Sequence, residues 1–370
     1  MIARGQQRDP IGWSGSSAPA SNGPAPPPPA PPDPGSCGVR IRRVSPYLAS
    51  QHVGGSPPSG GRRMARGRHL FAALKGGVLG TTIVLVLCVL TFSPAVSAQT
   101  ANPATLIIRS DDAGMSHSVN MALQRLMQTG MPLSVSVMFP TPWYQEIVGI
   151  LKQHPEVAVG IHLTLNSEWK NYRWGPVAGR EAVPTLVDSN GFFFQSSEAL
   201  HNNHPDIAQV EHELRAQIDR ALHSGIKIDY VDYHMGTVVE YPEFRDVAER
   251  LAKEYSLGMM GYFGDSTDAP QYWAAPQSKG DSLVAFINRL HPGVTVLVTH
   301  VGLDDAELGA LIDMNTAQPL PDMSKNRQGE LDALTSPRFA QTLKNRSIHL
   351  ITYRELIGQQ GLQSMRRPPQ

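Results

Sequence analysis

From residue 104 onward, short runs of apolar and β-branched residues alternate with longer stretches whose apolar positions recur at helical spacing. The runs predict strands at 105–110, 134–138, 157–165, 227–232, 257–262, 294–299 and 348–352. The stretches predict helices at 116–129, 142–153, 206–224, 242–254, 282–289 and 336–344, the first of them capped by Ser116. Strand and helix in repeated succession imply an α/β domain of parallel strands. A β/α-barrel-like fold, a distorted or incomplete barrel, suits this rhythm better than an open sheet. Residues 166–194 break the pattern, with Trp169, Tyr172, Trp174, Phe192, Phe193 and Phe194 spread among Gly and Pro without a period. Long irregular loops in compact domains are usually functional or disordered, and the aromatic content argues against disorder. The segment reads as an aromatic rim, with the three consecutive phenylalanines packing on the body as a hairpin excursion.

Upstream the pattern changes. Residues 1–63 are rich in Pro, Gly, Ser and Arg with no apolar periodicity, which predicts a disordered segment, or one that is not translated because synthesis starts at Met64. After Met64, a basic stretch with Arg66, Arg68, His69 and Lys75 precedes an apolar run at 78–92 and the small-residue site Val96-Ser97-Ala98. This order predicts a signal peptide over 64–98, cleavage after Ala98, a catalytic domain over 99–370 and export to the periplasm or outside the cell. Lys75, Gly76 and Gly77 interrupt the run, which falls short of the ~20 apolar residues a span needs. No stable membrane span is therefore expected after cleavage, although an uncleaved leader would anchor the chain.

Charge narrows the partners. The 370 residues carry 32 Lys and Arg against 32 Asp and Glu, a formal net charge of +0, so the basic surface that nucleic acid requires is not expected. The cysteines, Cys37 and Cys88, both precede residue 100, so a metal centre in the domain must use His, Asp or Glu.

Those residue types occur where predicted strands give out. The first strand runs into Asp111-Asp112-Ala113-Gly114. Alone this reads as a turn, but adjacent strand side chains point apart, so the two carboxylates can divide two tasks. His162 stands inside the apolar run 157–165, where a lone imidazole is ordinarily a packed core residue. Asp232 and His234 end the fourth strand, and His300 follows the sixth. Four strands delivering Asp or His at their carboxyl ends outweigh each structural reading taken singly, because β/α barrels assemble catalytic groups at that end. Oxygen and imidazole donors without thiolate suit one divalent ion: zinc, magnesium or manganese.

The ordered set 106–114, 160–165, Asp232-Tyr233-His234, Thr299-His300-Val301-Gly302, 327–336 and 348–356 resembles the YdjC-like carbohydrate deacetylases, the ChbG and HpnK type, from about residue 105 to 356. The resemblance implies a barrel-like hydrolase of linear amide bonds that removes acetyl groups from amino sugars or N-acetylated oligosaccharides. It implies Asp112, His162 and His234 as metal ligands and Asp111 as general base. His300 is then placed either to protonate the leaving amine or to orient a carboxylate. Asp232, two residues before His234, is expected to orient His234 or Asp111, and Trp169, Arg173 and Trp174 are candidate contacts to an acetylated sugar. One departure is Gly236, where many relatives carry a second histidine; it bears on chitooligosaccharide specificity more than on the ligands. Competing readings are a metal-dependent hydrolase of another ester or amide, such as an O-acetyl glycan, and a catalytically inactive carbohydrate-binding barrel. Retention of Asp111 beside all three ligand positions argues against the second.

Overall fold

The computed structural model describes residues 104–315 and 322–369; the predicted leader and Pro-rich segment lie outside the described residues. Among the described residues the strands are β1 Ala104–Ala113, β2 Ser134–Val137, β3 Ala158–Leu163, β4 Tyr230–Tyr233, β5 Gly258–Met259, β6 Ser266–Asp268, β7 Gly293–Thr299 and β8 His349–Leu350. All pairings are parallel, in the order β5-β4-β3-β2-β1-β7-β6, with β8 joining the amino-terminal part of β1. The sheet curls into a half-barrel; its terminal strands β5 and β6 do not pair with each other, so the barrel stays open on that side. This is the incomplete β/α barrel that the alternating pattern predicts.

The helices are α1 His117–Met127, α2 Tyr144–Leu151, α3 Ser197–Asn202, α4 Ile207–Leu222, α5 Thr237–Glu240, α6 Pro242–Glu254, α7 Lys279–Arg289, α8 Ala306–Gly309, α9 Met323–Thr335, α10 Pro337–Asn345 and α11 Tyr353–Gln360. Ser116 caps α1 as expected, its side chain accepting from the Val119 amide at 3.2 Å. The core lies where apolar strand faces meet the helices: Leu106, Ile107, Ile108, Val135, Val137 and Ile161 are fully buried. No described helix is long and apolar enough to cross a membrane.

Several elements differ from the sequence expectation. The fourth strand covers Tyr230–Tyr233 rather than 227–232, and the fifth only Gly258–Met259 rather than 257–262. β6 was not anticipated, because three residues of the type Ser-Thr-Asp carry no apolar pattern. Helix α9 was missed for a related reason. The face it buries includes Ser324, Asn326, Arg327, Gly329 and Glu330, so no apolar period exists to be read.

Candidate active site at the carboxyl ends of the strands

A β-bulge builds the centre. On β1, Ser110 pairs with Val135 and Ala113 with Val137, so β1 spends one more residue than β2 over this stretch. The extra residue falls at Asp111 and Asp112, where φ of Asp112 is 63°. A left-handed aspartate is uncommon and here re-aims the side chain. Gly114 at φ 87° completes the turn; a Cβ there would meet the Tyr144 Cα at 2.8 Å. The two neighbouring carboxylates, both buried, consequently face different partners, as strand geometry suggested.

Asp112 faces the histidines. Its Oδ1 stands 3.6 Å from His162 Nε2 and 3.3 Å from His234 Nδ1, while its Oδ2 accepts from Arg327 Nη2 at 2.7 Å. The three acceptor atoms lie close enough together to hold one ion. Each imidazole is fixed from behind. His162 Nδ1 meets Asp232 Oδ1 at 2.9 Å, and His234 Nε2 meets Glu168 Oε2 at 3.0 Å. A carboxylate on the far ring nitrogen sets the tautomer that leaves the near nitrogen free to ligate. Asp112 Oδ1 is buried without a hydrogen-bond partner, the feature expected of an oxygen whose partner is a cation.

Asp111 faces the other way. Arg109 holds it with two hydrogen bonds, Nε to Oδ1 at 2.7 Å and Nη2 to Oδ2 at 2.6 Å, and Arg109 Nε also lies 3.1 Å from Asp232 Oδ2. Ser136 Oγ donates to Asp232 Oδ2 at 2.6 Å. Asp111, His162 and Asp232 form a second cluster of metal-binding type. There the guanidinium already compensates both carboxylates, so the Asp112 cluster is the better cation site.

The electrostatics follow the same division. Burial pushes the Asp112 carboxyl up, but the Arg327 guanidinium and the His234 imidazole beside it outweigh it and hold the group well below the usual carboxylate range. Burial lowers the His234 imidazole, yet Glu168 and Asp112 together raise it to about 10. Without a metal, a proton on His234 therefore supplies positive charge between those carboxylates. His300 behaves oppositely: burial pushes it down to about 4 despite Asp112 and Asp111 nearby. It is neutral at pH 7, its Nδ1 is enclosed without a partner, and its backbone N–H donates to Glu330 Oε2 at 2.8 Å.

The expectation for Asp232 is corrected: it orients His162, not His234, and reaches Asp111 only through Arg109. The cause is register, since His162 and Asp232 are direct partners across β3 and β4. Glu168 takes the role beside His234. Trp169 and Trp174 are almost fully buried instead of presenting open faces on a rim. Trp174 Nε1 donates to the Asn166 carbonyl, and its ring stands 6.1 Å from that of His234, bracing the ligand. Arg173 is spent on the loop, bonding Ser167, Asp188 and the Phe193 carbonyl. Phe193 is buried and bridges Val187, which is the packed hairpin expected of the phenylalanines, although Phe192 stays exposed. From α4, Glu213 accepts from the Val177 and Ala178 amides at 2.9 and 2.8 Å and pins the loop. After His234 the chain turns through Met235 at φ 50° and Gly236 at φ 76°, a conformation glycine adopts without strain.

Sequence reasoning missed Arg109, Arg327 and Glu168. Arg109 had a signal: two residues before Asp111, it shares that strand face. Arg327 sat inside a matched motif without a role, and Glu168, in an irregular loop, had no periodicity to mark it.

Comparison with known proteins adds an independent line. The sequence profile of the family described as YdjC-like protein matches residues 105–345. A carbohydrate deacetylase of Geobacillus stearothermophilus is 30% identical over 262 residues, covering 68% of this chain and 98% of the relative. One from Thermus thermophilus is 30% identical over 272 residues, 67% of this chain and 92% of the relative. One from Brevibacillus brevis is 27% identical over 266 residues, 68% and 99%. Among solved structures, an Enterococcus faecalis protein described as a cellobiose-phosphate cleavage protein superposes with a TM-score of 0.59 at 22% identity, covering 69% of this chain and 99% of the other; that likeness concerns the fold.

Proposed function

We infer that this chain, which belongs to the YdjC-like protein family, is a carbohydrate deacetylase, and we propose that it is a metal-dependent one that removes acetyl groups from amino sugars or N-acetylated oligosaccharides. The observation that carries the metal is the buried, unpartnered Oδ1 of Asp112 facing one nitrogen of each of two oriented imidazoles. Asp112, His162 and His234 would hold the ion. When bound, a divalent ion supplies Lewis-acid polarisation of the amide carbonyl and a more acidic water. Asp111, gripped by Arg109 and free of the ligand set, takes the proton of the attacking water as general base. His300 is neutral at rest, so it acts as the acid only by passing to the leaving amine the proton that Asp111 has taken from the water; once charged it is a strong acid. Arg109 and Asp232 keep Asp111 and His162 in fixed relation, so base and ligand do not reorganise as charge develops. We further propose that the chain is exported and that its mature form begins near Gln99.

The test is acetate release by purified protein stripped with a chelator and then given zinc, manganese or magnesium. N-acetylglucosamine oligomers, O-acetylated glycans and simple amides serve as substrates. Activity on the N-acetylated sugars that disappears on stripping and returns with one of these ions is expected. Full activity after complete removal of metal would refute metal dependence, and cleavage of O-acetyl esters alone would move the substrate class.

A further inference from the structure

The aromatic side chain that stands open beside the site is one the sequence did not single out. Trp273 is 57% exposed, more than any other large hydrophobic side chain among the described residues. It lies in the turn between β6 and α7. Its indole packs edge-on to Tyr272 with centroids 4.8 Å apart, and Tyr272 packs edge-on to His300 at 5.2 Å. The indole is thus two ring contacts from a residue placed to act on the leaving amine, on the carboxyl-end face where substrate must enter.

The turn is held rigidly by buried polar groups beneath it. Lys279, only 1% exposed, donates from Nζ to the carbonyls of Gln271 at 2.9 Å and Tyr272 at 3.2 Å, and meets Glu330 Oε1 at 3.4 Å. Gln271, fully buried, donates to the Val298 carbonyl at 2.7 Å and to Glu330 Oε2 at 3.1 Å. Burying a lysine and a glutamate is costly unless they are paired and hydrogen-bonded, and here the pairing is spent on the backbone that carries Tyr272 and Trp273. An exposed indole on a fixed turn loses little conformational freedom when something stacks on it.

We propose that Trp273 is a sugar-stacking subsite: its indole receives the apolar face of the pyranose ring next to the one that bears the reacting acetamide, and so selects oligosaccharides over monosaccharides. Lys279, Glu330 and Gln271 act as positioning residues beneath it. A pyranose presents axial C–H bonds on one face and hydroxyls around its edge, which suits an indole that stands open to solvent. The inference rests on the deacetylase reading and assigns its substrate length.

The test uses β-linked N-acetylglucosamine monomer, dimer and trimer with the full chain and its Trp273→Ala and Trp273→Phe variants. Kinetics come from acetate release and binding from calorimetry. For Trp273→Ala, KM for the trimer should rise roughly three- to tenfold with kcat little changed, and the preference for trimer over monomer should fall by the same factor. Trp273→Phe should recover part of it. Lys279→Met, which keeps the indole but frees the turn, should shift trimer KM in the same direction by a smaller factor. Equal changes for monomer and trimer, or no change in trimer affinity for Trp273→Ala, would overturn the subsite. If the unaltered chain released acetate from none of the sugars, the deacetylase reading would fail. Calorimetry with the trimer would then judge the subsite alone, and unchanged or absent trimer binding would overturn it.

Discussion

Replacing Asp111 by asparagine separates the two adjacent carboxylates in a way that can be quantified. Asp111 receives two hydrogen bonds from Arg109, whose side chain is 4% exposed. Asparagine keeps one acceptor oxygen but turns an N–H toward the second guanidinium donor, so one charge-assisted bond becomes a repulsive contact. Breaking a buried pair typically costs 3–5 kcal/mol; Asp232 still lies 3.1 Å from Arg109, so about 2–3 kcal/mol is expected here. For a domain of this size that lowers Tm by roughly 5–10 °C. Turnover should fall further than folding does, by about 10²–10⁴-fold, because the general base is gone. Bound metal should be unchanged, since the oxygen facing His162 and His234 belongs to Asp112. Metal per chain by elemental analysis, acetate release below the variant's own Tm and thermal denaturation give the three readings. Loss of metal from Asp111→Asn, or undiminished turnover, would refute the division of labour.

Three further outcomes follow from particular contacts. Glu168→Ala removes the carboxylate behind His234 and should weaken metal affinity about 10–100-fold in a competitive chelator titration, while the fold is retained; unchanged affinity would mean that Glu168 does not orient the ligand. Burial raises the Glu213 carboxyl from 4.5 to about 7 in spite of the amides it accepts from. Its folded value exceeds its unfolded one, so its contribution to stability is fully present below about pH 4.5 and is lost as pH rises through about 7, a difference on the order of 3 kcal/mol. Urea denaturation across that window should show a falling component that Glu213→Gln flattens; the same slope in the variant would assign it elsewhere. Gly160→Ala puts a Cβ 2.3 Å from the buried ring of Tyr230, and overpacking of this kind should cost about 1–3 kcal/mol in denaturant midpoint, whereas a neutral result would show that the ring can move aside.

What the sequence revealed tracks how each element is stabilised. β1, β3 and β7 contain buried runs of apolar residues, and their signal survives in one dimension because burial on both faces demands it. The ligand candidates were legible for the same reason, since a histidine or paired aspartate stands out against such a run. Elements held by polar contacts were not legible: α9 buries Arg327 and Glu330 against Asp112, Lys279 and the His300 amide, and its spacing carries no apolar rhythm. The bulge at Asp111 and Asp112 is a property of two strands in register, and so is the pairing of His162 with Asp232. Neither exists in a single segment read alone. Exposure misled in the irregular loop, where tryptophans suited to a rim are used as packing while Trp273, in a short turn, is the most exposed of the large hydrophobic side chains among the described residues.

The charges around the centre explain why so much polar material is buried there. Asp111, Asp112, Asp232 and Glu168 lie in one contiguous network with the guanidiniums of Arg109 and Arg327, and all of them are buried. Glu330 is set apart by Lys279. With the imidazoles neutral, two negative charges remain uncompensated, a cost no stable interior carries without a counter-charge. The metal-free protein reduces it by keeping a proton on His234, which accounts for the upward shift of that imidazole to about 10. A divalent cation between Asp112, His162 and His234 would balance both charges once that proton has left. The orphaned Oδ1, the two ring nitrogens facing it and the surplus of two charges are features that one divalent ion would satisfy together, whereas a monovalent ion or a water would leave the network charged.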